Sequence, residues 1–465
     1  SALMNPVTEK LLASPEKGIA IAEKLKRTIR GDVRFDDLSR TLYATDASIY
    51  EMTPLGVVLP RDTNDVIATV KICQEANVPI IARGAGTGLT GGAVGSGVQL
   101  DLSRYMNRIG NLELEKRTIE VEPGVVLDEL NAHLAPHGLH FAPDVATSSR
   151  ATIGGMIANN SCGAHSVLYG RTVDHVLSLT CVLSTGDLVT FHRTEPQTLG
   201  SNREFESPNE SRAPCAPSLP KSRAGDATFY EHALSLIRDQ YHGEIQKRFP
   251  RVLRSNGGYG LDRLGPPKVS VDVTKLLCGS EGTLAIIVSA TLNLVPLPKH
   301  AGLVVVHFSN LLSALSATPA ILKHQPAAIE LIDKLILSAS RSHPSIAEPC
   351  AFLEGEPEAI LVVEFFDDDF ETLEQHLGAL TADPEIRNAA YSCVKVIDSQ
   401  HQKDVWNIRK SGLGLLMSKP GDFQPYSFVE DTAVDPNRLH DYIERFQEIL
   451  QRERVAAGYY AHASV

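Results

Sequence analysis

Residues 79–92 read Pro-Ile-Ile-Ala-Arg-Gly-Ala-Gly-Thr-Gly-Leu-Thr-Gly-Gly, and how this stretch is read decides the fold. The apolar run Val78, Ile80, Ile81 stops at Arg83 and opens into five glycines within nine residues. Glycine at that density lets the main chain turn sharply and brings its N–H groups close to a large ligand. A convergent set of amides is a nest for phosphate oxygens, so the stretch points to a nucleotide cofactor. Gly86-x-Gly88-x-x-Gly91 fits a dinucleotide fingerprint in spacing alone. That fingerprint also needs a helix opening at its third glycine and an acidic residue about 20 positions on. Here the glycines run into Val98-Gln-Leu-Asp-Leu, a strand pattern, with no room for a crossover helix. A Walker loop is excluded because no Lys-Ser/Thr pair follows. A glycine-rich surface turn is the remaining alternative.

Two further blocks settle the direction. Pro143-Asp144 leads into Thr147-Ser148-Ser149-Arg150-Ala151-Thr152-Ile153-Gly154-Gly155-Met156-Ile157-Ala158-Asn159-Asn160-Ser161-Cys162-Gly163, followed by Tyr169-Gly170. The other is Cys278-Gly279-Ser280-Glu281-Gly282-Thr283-Leu284-Ala285-Ile286-Ile287. With the loop, these blocks resemble the flavin-binding domain of the vanillyl-alcohol oxidase and p-cresol methylhydroxylase superfamily. In detail they are similar to its D-lactate, glycolate and D-2-hydroxyglutarate dehydrogenase branch, from about Tyr43 to Val465. The resemblance implies an α+β fold with a two-subdomain FAD-binding domain of the p-cresol methylhydroxylase type over residues 43–298. An N-terminal helical segment, 1–42, precedes it. A ferredoxin-like substrate or cap domain, 299–465, follows and is incomplete at its C-terminus.

Composition is consistent with this. At 465 residues, two or three domains are expected. A 43% hydrophobic and 22% charged chain with net charge −12 has no basic footprint for nucleic acid. No apolar run approaches the roughly 18–20 residues of a membrane-spanning helix. The first residues, Ser-Ala-Leu-Met-Asn-Pro, lack the charged and apolar regions of a signal peptide. The seven cysteines are dispersed with no C-x-x-C pair, which disfavours iron–sulfur and zinc sites in this chain and fits a reducing cytoplasm.

Along the chain, residues 8–40 are helical in composition, with Leu11, Leu12, Ile19, Ile21, Ala22 and Leu25 as an apolar stripe. Thr63-Asn-Asp-Val caps a helix through Ala76 that feeds a strand, Val78–Ala82. Ile119-Glu-Val is a strand, Val125–His137 a helix ended by Gly138, and Val176–Leu183 with Leu188–Phe191 a hairpin. Thr194–Arg223, rich in Ser, Pro, Asn and Glu, reads as a long loop insertion at about 194–225. Beyond Pro296 and Pro298, the segments Ala301–Phe308, Leu311–His324, Ala359–Phe366 and Phe370–Ala382 have a ferredoxin-like rhythm.

The resemblance assigns roles residue by residue. Arg83, Gly84, Ala85, Gly86, Thr87, Gly88, Leu89 and Thr90 would wrap the FAD pyrophosphate through main-chain amides. Gly154 and Gly155 would lie beside the isoalloxazine edge, with Asn159, Asn160 and Ser161 toward its nitrogens and carbonyls and no covalent bond. Pro143, Thr147, Ser148, Ile157, Cys162, Gly163 and Tyr169 are further cofactor-binding candidates. Glu281, Gly282, Ile286 and Ile287 match the segment near the adenosine and ribityl chain. The chemistry implied is oxidation of a small D-2-hydroxy acid, D-lactate-like, by hydride transfer to flavin. Such a substrate needs a fixed guanidinium for its carboxylate and a base or metal for its hydroxyl. Arg409, in Trp406-Asn-Ile-Arg409, resembles the carboxylate-binding arginine. Glu430, in Phe428-Val-Glu430-Asp431, lies on the strand that lines the site, and His462 resembles the first histidine of a metal motif for zinc or manganese.

The chain stops three residues after His462, before the second histidine of that motif. The resemblance therefore implies flavin binding with weak or no turnover by this chain alone. Electrons would pass to a quinone, a cytochrome or an iron–sulfur domain, in the cytoplasm or at the inner face of the membrane. The non-catalytic alternative is a flavin-carrying electron-relay subunit.

Overall fold

The computed structural model describes residues 15–193, 226–255, 257–342, 352–417, 429 and 432–464. Leu11, Leu12, the 194–225 insertion and Glu430 lie outside the described residues.

The glycine-rich stretch joins two parallel strands, as its sequence requires. Ile80–Arg83 pairs with Val98–Asp101 in register Arg83↔Asp101, and only the loop 84–97 connects them. Parallel neighbours normally need a crossover helix. Here the loop alone carries the chain from the end of one strand back to the start of the next. That sheet runs Asp32–Arg34, Gly56–Leu59, Val98–Asp101, Ile80–Arg83. The helix Thr63–Glu75 covers it, and its N-cap is Asp62, one residue before the expected position, accepting from the Asn64 and Asp65 amides. Val66, Val70, Ile72 and Cys73 on that helix pack with Val58, Val98 and Leu100. The N-terminal region is less helical than its composition suggests. The helix Pro15–Thr28 buries Ile21 and Leu25 but leaves Ile19 exposed, and a strand, Asp32–Arg34, then pairs with Gly56–Leu59. The break falls at Gly31, where an added Cβ would meet the Leu59 carbonyl oxygen at 2.2 Å.

A second, wholly antiparallel sheet runs Ile109–Glu113, Thr118–Val121, Ile286–Asn293, Val176–Val182, Leu188–His192. The helix expected to Gly138 ends instead at Leu134, because Pro136 cannot continue it, and a 3₁₀ turn reaches Gly138 at φ +67°. The short helix Ile153–Ala158, capped by Thr152, fills this core with Ile153, Met156 and Ile157.

The C-terminal sheet has the order Ser392–Val396, His300–Phe308, Ala359–Asp367, Ala328–Asp333, Tyr460–His462, all antiparallel. The first four strands and the helices Leu311–Leu322 and Phe370–Ala382 make the ferredoxin-like arrangement. Side chains alternate across the sheet. Val304, Val306, Ile329, Leu331, Leu361 and Val363 pack under those two helices. Leu303, Val305, Ile332, Ile360 and Val362 face the other way, toward Val405 and Ile408 of the helix Ser399–Met417. This second face carries the charged site. The five described cysteines are unpaired.

Candidate active site

The glycine loop and the Thr152–Asn159 turn form the walls of one cleft of ≈ 1090 Å³ of empty volume, open to solvent. Arg83, Gly84, Ala85, Gly86, Thr87, Gly88 and Thr90 line it from one side. Thr147, Gly154, Gly155, Asn159, Ser161, Glu281, Gly282 and Ile287 line the rest. Arg83 clips the loop into shape. Its Nη1 donates to the Ala93 carbonyl and its Nη2 to the Thr45 carbonyl, each at 2.9 Å, with the guanidinium over the Tyr43 ring. Between Gly84 and Gly92, no main-chain amide donates to any of the described residues. Such a run of half-buried and exposed amides without protein partners suits an external acceptor. Gly84 has no space for a side chain, since its Cβ would meet Thr152 Oγ1 at 2.2 Å, whereas Gly88 faces open cleft. These observations fit the phosphate chain of a dinucleotide.

Other candidates stand behind the lining. Ile157 and Ile286 are core residues, and Leu89 and Ser148 are outside the lining. Asn160 is buried, and its side-chain oxygen accepts from the Val173 amide at 3.0 Å. It fixes the turn that presents Asn159 and Ser161, which hydrogen-bond to each other. Pro143 is buried ahead of the lining residues Val145 and Thr147. Gly163 packs against the Asp144 carbonyl, and the Cys162 thiol accepts from Arg254 Nε at 2.9 Å. Tyr169 lies beside His165, with ring centroids 6.5 Å apart.

The charged face of the C-terminal sheet is organised by two glutamates. Glu330 pairs across the strands with Val362, two residues from Glu364, so both side chains project from the same face. Glu330 is fully buried. Its Oε2 accepts from Arg409 Nε at 2.6 Å and its Oε1 from His462 Nδ1 at 2.6 Å. Burial alone would raise this carboxyl, but its hydrogen-bonded partners His462 and Arg409 outweigh it and hold the group below its ordinary range. Arg409 also lies over the Tyr460 ring, 4.9 Å from its centroid.

Glu364 carries the second cluster. Its Oε2 is 2.6 Å from His165 Nε2, and its Oε1 accepts from Trp406 Nε1 at 3.3 Å. His165 Nδ1 is 3.0 Å from Asp144 Oδ2, so both ring nitrogens face carboxylates. Burial opposes charging His165, yet the bonds to Asp144 and Glu364 prevail and push it up to about 10. The same pairing keeps Asp144 low. His140, buried nearby and repelled by His165 and His175, is instead pushed down to about 4.

The sequence analysis assigns no role to Asp144, His165, Glu330 or Glu364. A signal existed for two of them. Ala-Ile-Glu-Leu-Ile and Leu-Val-Val-Glu-Phe-Phe each place one carboxylate in an apolar strand, where a buried charge demands a partner. The described residues do not assemble a metal site at His462, which meets one carboxylate, Glu330. The His440, Asp441 and Glu444 ligand atoms do come together, but on the helix Leu439–Glu453, away from this face.

Comparison with known proteins agrees with this geometry. Residues 54–192 match the FAD binding domain family, and residues 297–464 match the C-terminal domain of FAD linked oxidases. The chain thus carries both domains of FAD-linked oxidases, and FAD is its cofactor. It is 34% identical over 444 residues to a D-2-hydroxyglutarate dehydrogenase of Pseudomonas putida, covering 93% of the chain but 42% of that protein. It is 26% identical to the glycolate oxidase subunit GlcD of Bacillus subtilis, covering 94% of the chain and 77% of that protein. Among solved structures, an alkyldihydroxyacetonephosphate synthase shares the fold at TM-score 0.60 and 17% identity, over 94% of this chain and 76% of that one. The chain thus spans less than half the length of the D-2-hydroxyglutarate dehydrogenases it matches. No helix among the described residues is long and apolar enough to cross a membrane.

Proposed function

We propose that this chain oxidises a D-2-hydroxy acid to the 2-oxo acid where the charged face of the C-terminal sheet meets the FAD cleft. The observation that carries this reading is Arg409. Its Nε is fixed by buried Glu330, its side chain is 11% exposed, and its two Nη groups donate to none of the described residues. A guanidinium held from behind with its terminal nitrogens available suits a carboxylate taken by two parallel hydrogen bonds. When bound, FAD supplies a two-electron centre that accepts the α-hydrogen as hydride. His462 donates through Nδ1 to Glu330, which leaves Nε2 to take the hydroxyl proton. Loss of that proton to His462 and of the hydride together leaves the 2-oxo acid, with one C=O formed and one C–H and one O–H broken. Glu430, outside the described residues, is proposed as a further wall of this site on the resemblance. No step is routed through a metal, because the described residues do not form a site for one. The downstream acceptor is proposed as a quinone, a cytochrome or an iron–sulfur domain.

The likeness to D-2-hydroxyglutarate dehydrogenases makes D-2-hydroxyglutarate the first acid to try and D-lactate the second. Anaerobic addition of either D-acid to the FAD-loaded chain should bleach the flavin absorbance, and the L-enantiomers should not. A flavin that dithionite reduces but no 2-hydroxy acid does would overturn this reading in favour of an electron-relay subunit.

A further inference from the structure

We infer that His165, bridged between Asp144 and Glu364, is a positioning residue that sets Arg409 against the FAD cleft. The inference rests on the proposed oxidation and adds to it a device for aligning the two halves of the site. Asp144 immediately precedes Val145, a lining residue of the cleft, and His165 follows Ser161, another lining residue, by four positions. Both belong to the segment that forms the cleft wall. Glu364 belongs to the C-terminal sheet, 199 residues later in the chain. Its other oxygen receives Trp406 Nε1, and Trp406 sits three residues before Arg409 on the same helix. A continuous path therefore runs from cleft wall to Asp144, His165, Glu364, Trp406 and, one helical turn on, Arg409.

Three features make the path stiff. Both imidazole nitrogens face carboxylate oxygens, so the ring is a donor at each end and cannot rotate without losing a charge-assisted bond. The His165 side chain is only 19% exposed, and the ring stacks on Phe366 at 5.2 Å and lies 5.7 Å from Trp406. The His165 amide also approaches Asp144 Oδ1, at 3.3 Å, so main chain and side chain grip the same carboxylate. The titratable groups around the ring are Asp144, Glu364, His140 and Tyr169, with His462 acting on Asp144 from the C-terminal strand. The neighbouring Arg409 and His462 both meet Glu330, on the same face of the C-terminal sheet. Glu364 is thus the carboxylate that ties the substrate side to the cofactor side. Hydride transfer depends steeply on geometry, and a displacement of about 1 Å costs on the order of 100-fold.

The test uses the FAD-loaded chain with His165→Gln, Glu364→Gln and the double variant. Two readouts separate positioning from simple folding support. The first is anaerobic flavin reduction by D-2-hydroxyglutarate, divided into the substrate dissociation constant and the limiting rate. Each single variant should bind substrate within about threefold of wild type and reduce on the order of 100-fold more slowly. The double variant should be little slower than either single one, because both remove the same bridge. The second readout is the ¹⁵N spectrum of the histidine side chains at pH 8. One doubly protonated ring should be present in wild type and absent in His165→Gln. Variants that reduce at the wild-type rate, or losses that simply add, would overturn the positioning role while leaving the proposed reaction intact. A wild-type flavin reduced by no hydroxy acid would instead overturn the reaction, and the positioning role with it. A neutral His165 ring at pH 8 would overturn the bridge.

Discussion

The FAD cleft and the charged face of the C-terminal sheet solve opposite problems. The cleft is made from main chain and from the absence of side chains. Its amides from Gly84 to Gly92 have no partners among the described residues, and Arg83 is used to hold the loop rather than to fill the space. The C-terminal face is made from polar and charged side chains driven into the interior, with Glu330 matched to Arg409 and His462 and Glu364 to His165. One region is conformation and emptiness; the other is charge balance. The comparison teaches that they should fail differently when altered.

The largest effect is expected on the charged face. Glu330→Ala leaves Arg409 and His462 without their common carboxylate, and removal of one partner from a buried ion pair costs about 3–5 kcal/mol. Urea unfolding should show that loss. FAD affinity should stay within about threefold, because no cleft residue is touched. In the cleft, Gly84→Ala forces a Cβ against Thr152 Oγ1 and should cost about 1–3 kcal/mol, as overpacking does. Gly88→Ala sharpens the contrast. Its Cβ would meet nothing within 4 Å, so stability without FAD should change by no more than about 0.5 kcal/mol. FAD titration should nonetheless show at least a tenfold weaker complex, about 1.4 kcal/mol.

The smallest effects are in pH dependence, where two neighbouring histidines have opposite signs. His165 is raised in the fold to about 10 from 6.5. Its contribution is complete below pH 6.5 and lost as pH rises through about 10. His140 is lowered to about 4. Its neutral form is favoured in the fold, so stability present above pH 6.5 falls as pH drops toward 4. The difference in unfolding free energy between wild type and His165→Gln should therefore shrink at alkaline pH. The wild-type advantage over His140→Gln should likewise shrink on acidification.

The two regions were also unequally legible in the sequence. The cleft could be read because its determinants are contiguous. Seven glycines between two strand patterns, with no helix-length spacer, exclude a Rossmann turn and point to a phosphate-binding loop. Ile157, Asn160 and Ile286 fall within the same motifs yet serve the core or the turn, a distinction set by the direction each side chain takes. The ferredoxin-like strands were readable from apolar runs, but Ala328–Asp333 was passed over. Its central glutamate interrupts the apolar pattern, and that glutamate is the residue that organises the site. The charged face joins Glu330 to His462 across 132 positions and His165 to Glu364 across 199, and no local pattern encodes such pairings.

The most direct measurement follows flavin and substrate together in wild type and Arg409→Ala. The apo chain is titrated with FAD, and D-2-hydroxyglutarate is then added anaerobically while absorbance is recorded. The expected result is equal FAD affinity in the two proteins, with bleaching in wild type and none in the variant. Bleaching of Arg409→Ala at the wild-type rate would contradict the division of labour between cleft and charged face.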